Sequence, residues 1–224
     1  MAMALTRLRW ASCLLAAALF LTPQSLAFDT PLSDTAVREA YFLAQRHDEA
    51  VAKFLDTYVR HLSPPKSGPY VSSVALYTPY SQLVSDISQH IGNYSAQQAL
   101  IDHRGRKETV LCIIQIQLTE TYPALIPDPA RSSSASPIHF IPRSYDFWAD
   151  FQFHFLDGED ELRPLTSSGH PNYSCGRQGD CILTGATVRL EFLASEFPTN
   201  EVQVEIDPPE GDQQTLGFEL ASLR

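Results

Sequence analysis

Between residues 33 and 62, apolar positions recur every three or four residues: Val37, Ala40, Tyr41, Ala44, Val51, Phe54, Leu55, Tyr58, Val59 and Leu62. That spacing lines one face of a helix. Ser33 or Asp34 can cap its start by accepting from amides the first turn leaves unpaired. The stripe skips at His47-Asp48, where Asp48 can cap again. The pattern predicts two helices, or one with a kink, ended by Pro64-Pro65. A second stripe, Leu83, Val84, Ile87 and Ile91, follows Thr78-Pro79, a cap with a first-turn proline, and Gly92 supplies a stop. Ser95-Ala96-Gln97-Gln98 has capping-box form.

From Glu108 the period falls to two. Val110, Cys112, Ile114, Ile116 and Leu118 alternate with polar residues only in the second half, so the first half reads as a central strand. Tyr145, Phe147, Ala149, Phe151, Phe153 and Phe155 predict a long strand with Asp146, Trp148, Asp150, Gln152 and His154 on its opposite face. Shorter alternating runs at 188–192, 202–206 and 216–220 are separated by Gly- and Pro-rich turns, and 71–77 adds a possible strand. Proline at 123, 127, 129 and 137 and the serines at 132–134 mark an exposed connector. Strands in succession without helices between them argue an antiparallel sandwich. The expected fold class is therefore α+β: a mainly helical N-terminal segment, 28–107, packed as one unit on a C-terminal antiparallel β-sandwich of immunoglobulin-like architecture, 108–224.

Residues 1–27 read differently. Arg7 and Arg9 precede a short apolar run at 14–21, Pro23 breaks it, and Ser25-Leu26-Ala27 places small residues where a signal peptidase reads. The run is well short of the roughly 20 residues needed to span a bilayer. The expectation is a cleaved signal peptide, Phe28 as the new N-terminus, a secreted or periplasmic protein, and no transmembrane segment after cleavage.

Charge narrows the partners. The 224 residues carry a formal charge of -10, which becomes -12 once Arg7 and Arg9 are removed. Such an excess repels a polyphosphate, so nucleic acid is not an expected partner. From residue 144 to the C-terminus there are fifteen acidic and four basic residues; from 28 to 143 there are eleven and ten. The acidity belongs to the predicted sandwich.

Cysteines 175 and 181 flank a turn-rich segment, and in an oxidising compartment they are expected to form a disulfide. Cys112, inside an apolar run, reads as a buried free thiol. The sequence holds no G-x-S-x-G elbow, H-E-x-x-H, Walker loop or dinucleotide fingerprint. Ser167-Ser168-Gly169-His170 reads as a turn, and His47-Asp48-Glu49 as a solvated helix junction. Asp157-Gly158-Glu159-Asp160-Glu161 reads as a solvated hairpin tip, with calcium on Asp157, Glu159 and Asp160 as an alternative. Trp148, Asp150 and His154 are the candidate ligand-binding residues, on a face that is wet, grooved or covered by the helices. Two N-x-S sequons, at Asn93 and Asn172, read as incidental. The expected function is a non-enzymatic module binding a protein or cell-envelope component. The alternatives are a carbohydrate-binding module, or a hydrolase assembled from acidic residues and histidine.

Overall fold

A computed structural model describes residues 28–90, 94–131 and 138–223. The predicted signal peptide, Gly92, the Asn93 sequon and the serines at 132–134 lie outside these residues. The first stripe divides where its pattern skips. Helix α1, Asp34–Ala44, is capped by Ser33, which accepts from the Ala36 amide. Helix α2, Glu49–Asp56, is capped by Asp48, which accepts from the Ala50 amide. His47 between them has φ 45°, a left-handed turn that breaks the helix. Helix α2 also stops short of Leu62: Val59–His61 is a strand, β1, paired with β2, Tyr70–Tyr77. Helical period is a local signal, and at Thr57-Tyr58-Val59 residues of β preference meet a strand that offers hydrogen bonds. Thr78 caps α3, Pro79–Ser88, with proline in the first turn, and Ser95 caps α4, Ala96–His103.

Three antiparallel sheets follow, making an α+β fold with several helices. The first has the order β1-β2-β3-β9-β8, where β3 is Thr109–Gln117, β8 is Thr166–Cys175 and β9 is Cys181–Leu193. β3 is hydrogen-bonded along both edges, to β2 and to β9, and is thus the central strand that its composition predicts. The second has the order β11-β10-β6-β7, with β6 Gln152–Asp157, β7 Asp160–Leu162, β10 Glu201–Asp207 and β11 Gln214–Glu219. The third is a ribbon of β4, Leu125–Pro127, and β5, Phe140–Pro142.

Two segments depart from the expected pattern. The long strand predicted from Tyr145 begins only at Gln152, and Phe147–Asp150 is a 3-10 turn. Phe147, Phe151 and Phe155 are the buried members of the run, spaced by four, so a period of two concealed a turn that brings the first two inward. Ser167 to His170 is not a turn but part of β8, pairing with β9 from Leu190 to Thr187. The sequence there is polar and without period; the partner strand supplies the structure.

Both large sheets contribute to one apolar cluster, including Leu76, Ile114, Val188 and Phe192 from the first and Phe155, Val204, Ile206 and Phe218 from the second. The Phe155 and Phe192 rings lie 4.6 Å apart. The helices have a core of their own, built from Val37, Ala40, Val51, Val84, Ile87 and Leu100. Phe54 packs against both clusters and joins them. The N-terminal segment is held by the sheet region. Phe28 lies 6.2 Å from the Phe197 ring, and Glu108 accepts from the Leu32 amide at 2.7 Å and the Thr30 hydroxyl at 2.5 Å. Cys175 and Cys181 form the expected disulfide across the end of the β8–β9 hairpin, where Gly179 takes the φ of 85° that its turn needs. Cys112 is free and buried.

Candidate functional site

The three residues singled out in the sequence have separate surroundings. Trp148 sits on the 3-10 turn, half-buried against the main core. Its indole covers Gly169 of β8 so closely that a Cβ on that glycine would stand 2.0 Å from Trp148 Cε2. One ring face is thus used for packing on β8, not on the N-terminal helices. Asp150 is exposed and lines a cleft of about 240 Å³ with Ile126, Arg143, Asp146 and Phe147. His154 lies on the outer face of the second sheet. The residues joined to it are Glu161, whose Oε1 is 2.7 Å from Nδ1, and Asp207, 3.9 Å from Nε2.

The His154–Glu161 bond raises the imidazole pKa above its ordinary value of 6.5; the charges of Glu161, Asp207 and Glu205 add to this, and desolvation opposes it. A raised folded-state value makes the interaction stabilising below the unfolded pKa, and that contribution is lost as pH climbs through the folded value. NMR titration of the imidazole is expected to give a midpoint above 6.5 that Glu161→Gln moves back toward it. An unchanged midpoint in the variant would remove Glu161 as the cause.

Asp157 departs from the expected hairpin tip. Its side chain is buried and accepts from the Thr199 amide at 3.3 Å and from the Thr199 hydroxyl. The carboxylate thus fixes the loop entering β10, whereas Glu159 and Asp160 are exposed. Among the described residues, no group of three or more His, Cys, Asp or Glu side chains is arranged to hold a metal ion. Burial pushes the Cys112 thiol well above its ordinary range, which leaves it a poor nucleophile. The Asn172 side-chain amide bonds the Thr187 hydroxyl at 3.2 Å.

Two surface features escaped the pattern of the sequence. On the β4–β5 ribbon, Leu125, Pro127, Phe140 and Pro142 share one face by register, and all four are exposed. Ile138 and Tyr145 beside the ribbon are exposed as well. The other feature is an open groove of about 890 Å³ with Arg60 on one wall and β10 and β11 on another. No family model and no curated protein matches the chain. The site must therefore be read from its own chemistry. No helix of the described residues is long and apolar enough to cross a membrane. The ribbon was legible only as a proline-rich connector. Its apolar residues lie three apart or less on either side of a long insertion, and only the pairing of β4 with β5 gathers them.

Proposed function

We propose that the protein is an exported, non-enzymatic binding module of the secreted or periplasmic space, whose partner is another protein or a component of the cell envelope. The leader-like pattern of residues 1–27 supports export. We read the five- and four-stranded sheets, with their shared core, as the two layers of a β-sandwich that presents the ribbon. The observation carrying the reading is the exposed apolar face of that ribbon. Leu125 is 54% exposed, Phe140 58% and Ile138 68%. Apolar side chains grouped on a surface mark a site where another surface excludes water. The carbohydrate reading loses support because one face of Trp148 is taken by Gly169. The hydrolase reading loses support because Asp150 and His154 have different partners.

A photo-crosslinking side chain at position 140, in cells of the source organism, is expected to give a discrete adduct. The same group at position 205, on the outer face of the second sheet, is expected to give none. With the crosslinker kept at 140, Leu125→Ser with Ile138→Ser should abolish the adduct while changing stability by no more than about 0.5 kcal/mol, the usual range for exposed positions. Equal labelling at both positions, or none at 140, would defeat the reading.

A further inference from the structure

The open groove of about 890 Å³ takes Arg60 from β1 and Leu156, Glu201, Gln203, Gly217 and Glu219 from the second sheet. Its volume is that of a small-ligand site. Gly217 forms part of the lining. A glycine inside a strand often marks a bulge, a tight bend, or a place where a ligand or another backbone comes close. The β10–β11 register runs through Gly217 without a shift, and its φ is not among the positive values. A Cβ there would meet nothing within 4 Å. A side chain at 217 would project into open space, and the glycine leaves that part of the groove floor clear.

The charges around this opening select the ligand. Glu201 and Glu219 are directly opposed across β10 and β11, and neither carboxylate has an ion pair or hydrogen bond among the described residues. Like charges in that relation repel. Arg60 faces the groove with its guanidinium 5.2 Å from the Phe218 ring centroid. Its Nη1 donates to the carbonyls of Thr57 and Val59 at 3.0 and 3.4 Å, and it has no carboxylate partner among the described residues. The rim is also fixed in advance: buried Asp157 holds Thr199, and the Asn200 carbonyl accepts from Leu220 N at 2.6 Å.

We propose that this groove binds a short zwitterionic peptide, its ammonium set against Glu201 and Glu219, its carboxylate on Arg60, and its backbone over Gly217. A neutral sugar leaves both charged walls uncompensated, and a simple cation leaves Arg60 so. The proposal is independent of the ribbon, with which the groove shares no residue.

Tri-alanine is a suitable probe, titrated into the full chain by calorimetry and by NMR shift perturbation. It is expected to bind, and N-acetylation or C-terminal amidation should each weaken it about tenfold or more, the loss of one charge-assisted contact. Gly217→Val should abolish binding with an equal or higher Tm, since its side chain enters open space in a strand. Arg60→Gln should bind weakly and no longer distinguish the free acid from the amide, which a merely structural arginine would not produce. The proposal is overturned by no response to tri-alanine at about 10 mM, by undiminished binding to Gly217→Val, or by indifference to both blocking groups. Tighter binding of maltotriose than of tri-alanine would overturn it equally.

Discussion

Gly185→Ala is expected to destabilise the fold by about 3 kcal/mol, the upper part of the usual range for overpacking. The added Cβ would stand 2.1 Å from the Ile116 carbonyl oxygen and 3.1 Å from its carbon. These are backbone atoms of β3, the strand between β2 and β9, so no side-chain rotation relieves the overlap. Nor can β9 retreat easily, because β8 is bonded along its other edge. For a chain of this size the loss corresponds to a fall in Tm of roughly 10 °C. Gly105→Ala, where a Cβ would meet nothing within 4 Å, is the control and should change little. A Gly185→Ala melting temperature equal to that of the control would show that the two strands absorb the methyl.

Phe192→Ala is expected to cost about 3–5 kcal/mol, the range for removing a fully buried aromatic side chain. Phe192 lies 4.6 Å from Phe155 of the second sheet and 6.0 Å from Phe197, measured between ring centroids. Its loss therefore opens a void that both sheets line. Urea unfolding should shift as one transition, reported alike by far-UV dichroism and by the fluorescence of Trp148. Two separated transitions would mean that the sheets unfold as independent units. A loss below about 1 kcal/mol would mean that Phe192 does not bridge them.

What the sequence disclosed divides by range of interaction. Ser33, Asp48, Thr78 and Ser95 were readable as caps because each bonds an amide two or three residues ahead. β3 was readable because a strand covered on both faces must be apolar on both. The run 145–155 misled because apolar positions two apart also contain phenylalanines four apart, Phe147, Phe151 and Phe155, and burial chose these. β8 was invisible: Thr166 to Cys175 has no hydrophobic period, and its structure is lent by the thirteen residues of β9. The candidate groups show the same division. The disulfide spans a short loop and could be read. Glu161 and Asp207 reach His154 only through the register of β6 with β7 and β10. Arg60 lines the same groove as Glu201 and Glu219 only because two sheets share a core. The one local trace of the groove was a glycine between Leu216 and Phe218, in a run otherwise suited to a strand.

The clamp on the N-terminal segment has a consequence for the order of assembly. Phe28 rests on Phe197, and Thr30 and Leu32 are tied to Glu108. A chain made from its N-terminus cannot satisfy Phe28 until nearly all the rest has emerged. Contacts between such distant parts of a chain carry a large closure entropy and form slowly. The helical core and the ties to Glu108 need only the first half of the chain, whereas the Phe28 ring stays uncovered until Phe197 has emerged.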